Sequence, residues 1–155
     1  FDLDASLFMV NASGKVRDDA DFIFYNQLKS KCGSVLHTGD NRTGEGDGDD
    51  EELQVFLDKV PSNIDRLVVA VTIHDEENGG LNFGQVRDAF IRIVNLDSDA
   101  EIARFDLSED YCTETAMIFG EVYRRDKEWK FRAVGQGFNG GLYELCMKHG
   151  VQVGD

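Results

Sequence analysis

A chain of 155 residues, 41% apolar and carrying eleven Phe, can bury one real core, which excludes global disorder. Sixteen Lys and Arg against thirty Asp and Glu leave a formal charge of −14. That balance excludes nucleic acid as a partner, because phosphates recruit Lys and Arg, and it equally disfavours an anionic membrane surface.

The chain opens in strand-like sequence. Phe1, Leu3, Ala5, Leu7 and Met9 fall on one face, and Asp2, Asp4, Ser6, Phe8 and Val10 on the other. Asp is depleted in strands, so Asp2 and Asp4 side by side need an explanation. They are either a strand end fraying into water or two metal ligands on a rigid element. Asn11–Lys15 reads as a turn, and Asp18–Asp21 as an acidic connection. Phe22–Asn26 is apolar on both sides and suits a central strand. Lys29–Gly33 turns the chain, and Ser34–His37 is a short strand.

An unusual stretch follows. Seven of the fourteen residues from Gly39 to Glu52 are carboxylates, and only Arg42 opposes them. Two carboxylates about 6 Å apart repel by roughly 0.7 kcal/mol even in bulk water, so an ordered form needs cations. The interior glycines let the backbone wrap and turn carbonyls inward. Hard oxygen ligands of this kind suit Ca²⁺, which accepts six to eight oxygens at variable geometry. The alternative is a solvated, disordered acidic loop. Glu45-Gly-Asp47-Gly-Asp49 alternates instead of forming a block, and strong strand sequence follows at once; both favour the metal. The run is not an EF-hand. Starting that template at Asp47 puts Glu52 where glycine is required and Asp58 where the closing Glu belongs.

Leu53–Leu57 resumes as a strand, and Pro61 closes it. Asp65–His74 is the clearest strand, apolar on nearly both faces. Gly79-Gly80 is a connection and Phe83–Asp88 holds a helical turn. Ala89–Asn95 is a strand, Asn95–Asp99 a turn, and Glu101–Leu107 pairs back. Thr115–Arg124 and Glu128–Phe138 form a β-hairpin through Arg125-Asp126-Lys127. Leu142–His149 is the one clear helix. Many short alternating strands with one or two short helices predict a mainly β fold, a β-sandwich of antiparallel strands, as one domain over 1–155. In such a fold, strand ends and loops gather at the rims, where Asp2 and Asp4 can meet the acidic stretch.

Other chemistry is sparse. His37 and His74 sit at strand ends, where ordinary surface or hydrogen-bonded histidines are the expectation. Ser6, Ser34 and Ser108 lack a nucleophile elbow. Gly135-Gln-Gly137 lacks the third glycine of a dinucleotide site and reads as a bulge or turn. No nucleophile, base and oxyanion hole assemble, so no catalysis is expected. Cys32, Cys112 and Cys146 have no Cys-x-x-Cys spacing and fit buried or inert thiols in a reducing compartment. With neither a signal peptide nor a spanning apolar run, a cytosolic protein is expected.

The segments Phe1–Ser6, His37–Glu51, Val71–His74, Gly120–Arg124 and Trp129–Gly137 resemble the TerD family of tellurite-resistance and stress-response proteins, over nearly the whole chain. The resemblance implies a cytoplasmic Ca²⁺-binding β-sandwich without enzymatic activity, holding two ions. It implies ligands among Asp2, Asp4 and Asp40–Glu51, with Asp40, Asn41, Gly44, Glu45, Asp47, Asp49, Asp50 and Glu51 as candidates. It implies partners among other tellurite-resistance proteins, in an assembly at the membrane without direct insertion. Family members carry further strands upstream, so this chain, starting at Phe1, is expected to lack its N-terminal strands. Two other functions stay open: a metal-dependent enzyme acting on oxyanions, and a structural interaction domain with a solvated acidic loop.

Overall fold

The computed structural model describes residues 2–24, 27–37, 53–74, 90–95, 98, 100–106, 115–126, 128–138 and 141–151. The strands are β1 (Asp2–Val10), β2 (Phe22–Ile23), β3 (Val35–His37), β4 (Leu53–Val55), β5 (Arg66–His74), β6 (Phe90–Asn95), β7 (Ala100–Asp106), β8 (Ala116–Arg125) and β9 (Glu128–Phe138). The α-helix, α1, spans Gly141–Lys148.

A strand apolar on both sides belongs in the middle of a sheet. β5 meets that condition and sits at the centre of a five-stranded antiparallel sheet ordered β2-β1-β5-β8-β9. Its two faces are covered differently. On one, Leu7, Met9 and Leu67 pack with Val35 and Leu53 of the two-stranded β3–β4 sheet. Farther along that face, Val71, Ile73, Met117 and Phe119 pack with Ile91 and Phe105 of the β6–β7 hairpin. On the opposite face, Phe8, Val68, Ala70 and Ile118 bury against Leu145 and Cys146 of α1. Each such large side chain contributes about 1.5–3 kcal/mol by leaving water. The mainly β, antiparallel class is as expected, with one α-helix among the described residues. Among the described residues, the layer facing the large sheet is two separate two-stranded sheets.

Local sequence sets the ends of the elements. Arg125 pairs with Glu128, leaving a two-residue turn in which Asp126 takes φ 53°. Primed turns of this kind match the twist of the strands they join. Gly150, at φ +79°, stops α1, and the amide of Val151 donates to the Cys146 carbonyl at 2.9 Å. Between Ile118 and Gly120 the β8–β9 register slips, so the stretch around Gly135 is the expected bulge.

Three expectations need correction. Phe22–Asn26 is not a central strand: only Phe22–Ile23 pairs with β1, at the sheet edge. The aromatic run serves stacking instead, with ring centroids 4.5 Å apart for Phe8–Phe22 and 4.3 Å for Phe22–Phe24. The chain then turns, Phe24 and Gln27 exchanging backbone hydrogen bonds of 3.1 and 2.9 Å. The β4 strand stops at Val55, because Leu57–Lys59 forms a 3₁₀ turn. The hairpin turn does not include Arg125, which extends β8 and pairs with Glu128. The Gly79-Gly80 connection and the helical turn at 83–88 lie outside the described residues.

Candidate metal centre

Register along β1 fixes where its acids lie. Asp2 pairs with His74, Asp4 with Thr72, Ser6 with Ala70 and Phe8 with Val68. The alternation therefore runs from apolar residues under α1 to a polar rim of Asp4, Ser6 and Thr72, all buried. Asp4 is only 4% exposed, so it is not a fraying strand end. The residue has interactions within the fold, yet its Oδ1 is buried and accepts no hydrogen bond. The Oγ of Ser6 is in the same condition. Buried oxygens with spare lone pairs are the donors a hard cation takes, so the chemistry of this rim fits Ca²⁺.

The acidic stretch is anchored by β3 and β4. His37 and Leu53 face one another in register, so the chain from residue 38 to 52 leaves and returns at paired positions. Asp40, Asn41, Gly44, Glu45, Asp47, Asp49, Asp50 and Glu51 lie outside the described residues, as does the side chain of Asp2. β3–β4 packs on the Leu7–Met9 face, whereas Asp4 shares the α1 face. Among the described residues, no three His, Cys, Asp or Glu side chains converge as a metal site. A centre that includes Asp4 must therefore draw ligands from outside those residues.

The remaining candidates resolve in different ways. His37 is buried, at 4% exposure, rather than a surface histidine, and its amide donates to the Leu28 carbonyl at 2.7 Å. His74 ends β5 opposite Asp2. Ser34 is buried, its Oγ 2.9 Å from Cys32 Sγ. Cys146 is buried on the sheet-facing side of α1, and its thiol pKa is pushed up to about 11 by burial and, second, by Asp19. Cys32 departs from expectation, because the turn at Gly33 leaves it exposed. Partial burial raises its thiol pKa, but hydrogen bonds from Ser30 and Ser34 outweigh that and hold it below the usual range.

A charged cluster escaped the sequence reading. Glu121 of β8, 8% exposed, accepts from Arg66 Nη1 at 3.0 Å and from Arg132 Nη2. One signal was available: once the hairpin turn is placed after Arg125, the register puts Glu121 opposite Arg132.

The model of the TerD domain matches residues 1–149. The chain belongs to the TerD family. It is 62% identical over 151 residues to the tellurium resistance protein TerD of Serratia marcescens, covering 97% of this chain and 79% of that protein. It is 53% identical over 154 residues to general stress protein 16U of Bacillus subtilis, covering 99% and 80%. A crystal structure of a TerD homologue from Streptomyces coelicolor superposes with a TM-score of 0.81 at 24% identity, over 95% of this chain and 86% of that one. That likeness shows the TerD fold. The two sequence relatives are named for tellurium resistance and for general stress. Among the described residues, no helix of this TerD chain is long and apolar enough to cross a membrane.

Proposed function

We propose that this TerD-family chain is a non-catalytic Ca²⁺-binding protein of the cytoplasm that acts in tellurium-oxyanion resistance and chemical stress through partner proteins. The observation that carries the metal is the β3–β4 register. His37 and Leu53 are paired, so a stretch with seven carboxylates and one Arg begins and ends a strand spacing apart. Mutual repulsion cannot be relieved there by separating the ends. Bound Ca²⁺ supplies the positive charge that lets the carboxylates come together. Two ions need roughly twelve to sixteen oxygens, more than fourteen consecutive residues can aim inward with their side chains. Asp4, and Asp2 beside it on β1, would add to the carboxylates from Asp40 to Glu51, with carbonyls and water completing the set.

The resistance and stress functions are supported by the relatives' names. Partners are other tellurite-resistance proteins, gathered at the membrane without insertion of this chain. Calorimetric titration of the purified protein with Ca²⁺ tests the reading, with saturation near two ions per chain expected. Mg²⁺ competes poorly, because it demands a smaller octahedral shell and gives up water reluctantly. A flat Ca²⁺ titration sinks the proposal. The purified protein leaves tellurite unchanged; turnover that disappears in Asp49→Asn would replace this function with an enzymatic one.

A further inference from the structure

The α1 face of the large sheet is only partly covered by α1. Beside it, a cleft of about 540 Å³ opens across β5, β8 and β9, and its lining is charged. Arg66, Arg132 and Lys148 stand there against one carboxylate, Glu121. In a chain of formal charge −14, this is a local reversal of sign. We propose that the cleft binds the phosphate group of a small phosphomonoester.

Glu121 is buried and joins both guanidiniums, Oε2 taking Arg66 and Oε1 taking Arg132. That fixes the two forks and reduces the side-chain entropy a ligand would otherwise have to overcome. A guanidinium carries five N–H donors. Among the described residues, Glu121 is the acceptor for both, leaving donors to spare. Two forks and a lysine are the donor set that recognises phosphate, and bidentate geometry favours it over a spherical anion. Gly14, at φ +81°, brings its backbone against the Arg66 guanidinium where a side chain would intrude: a Cβ there would lie 3.2 Å from Nη2. Val68 and Ile118 give the lining an apolar part. An organic group attached to the phosphate can cover it, and the volume falls in the range of small-molecule sites.

Chemical-shift titration of the isotope-labelled chain at constant ionic strength, with chelator present, tests this. Inorganic phosphate and phenyl phosphate are the two probes, with chloride as the control. Saturable shifts are expected at Gly14, Arg66 and His149, with phenyl phosphate several-fold tighter because its ring covers apolar surface. Arg132→Gln and Lys148→Gln should each weaken binding roughly tenfold, as the loss of one charge-assisted hydrogen bond does. Both side chains are exposed, so both variants should keep the wild-type fold by circular dichroism. Lys59→Gln, outside the cleft, should bind as wild type does. Wild-type affinity in Arg132→Gln and Lys148→Gln overturns the site, as do shifts that chloride reproduces. A third arm uses vesicles containing phosphatidic acid: retention on them without binding of phenyl phosphate overturns the small-molecule ligand.

Discussion

Two residues near the ends of the α1-side face carry predictions of their own. Asp4→Asn keeps the shape of a buried side chain and removes its charge. Ca²⁺ affinity should fall by roughly tenfold or more, about 1.4 kcal/mol, although Asp4 is far in sequence from the acidic stretch. Calorimetry on that variant decides between a joint site and one built from 38–52 alone: unchanged affinity and stoichiometry mean β1 takes no part. His149 is the second residue. It is 4% exposed, stacks on Phe8 with centroids 4.4 Å apart, and its Nδ1 donates to the Leu145 carbonyl at 2.8 Å. Burial lowers its pKa from 6.5, the Leu145 hydrogen bond opposes that, and Lys148, Lys15 and Arg66 lower it further. The folded state thus holds His149 neutral while the unfolded chain takes up a proton below about 6.5, so stability falls as pH drops below that value. His149→Asn, which keeps a donor for Leu145, should lose that part of the pH dependence. Thermal melts of both proteins from pH 7.5 to 5 measure it, and parallel curves would refute it. The pairing of Asp2 and Asp4 on one face was legible from a period of two. The burial of Asp4 was not, since it depends on what the rim packs against. Cys32 was misjudged because the lack of a Cys-x-x-Cys spacing says nothing about burial, and the turn at Gly33 leaves the residue exposed.

Among the elements, the long strands were legible and the short ones less so. β5 and the β8–β9 hairpin have enough alternation to fix their type, but not the hairpin's register, because Arg125 pairs with Glu128 instead of lying in the turn and β9 carries a bulge. β2 misled because an apolar run of four, Phe22–Tyr25, has no period that separates a central strand from an aromatic stack at an edge. The pairing of β3 with β4 across the acidic stretch is a tertiary fact that neither short strand specifies alone. Within β8, Gly120 is a position where packing decides. A Cβ there would lie 2.6 Å from Phe131 Cζ and 2.7 Å from the Arg132 carbonyl oxygen. Phe131 could rotate, but the backbone oxygen belongs to a paired strand and yields less easily. Gly120→Ala should therefore destabilise the fold by about 1–3 kcal/mol through overpacking, read from the urea midpoint. Phosphate binding offers a second readout, since Gly120 precedes Glu121: a displaced β8–β9 register would weaken it. An unchanged urea midpoint would mean the hairpin adjusts at its bulge without cost.

For the whole molecule, charge and core pull in opposite directions. The core joins one sheet to a helix on one face and to two small sheets on the other. A formal charge of −14 acts against compactness by self-repulsion, and half of the acidic stretch 39–52 is carboxylate. If that repulsion were only diffuse, any salt would relieve it, because screening depends on ionic strength and not on ion identity. A specific site behaves otherwise. A ligand that binds only the folded chain stabilises it by about 2.7 kcal/mol at one hundred times its Kd. For a domain of this size each kcal/mol raises the melting temperature by about 2–4 °C, so saturating Ca²⁺ should raise it by roughly 5–10 °C. NaCl or MgCl₂ at matched ionic strength should reproduce only a minor part of the rise. Chelation should lower the melting temperature and leave a cooperative transition, since the core on both faces of β5 is built from apolar residues independent of the metal. Asp4→Asn links this scale to the first: it should shrink the Ca²⁺-induced rise while leaving the salt effect unchanged. Equal shifts from Ca²⁺ and matched MgCl₂ would reduce the acidic stretch to a screened, solvated surface.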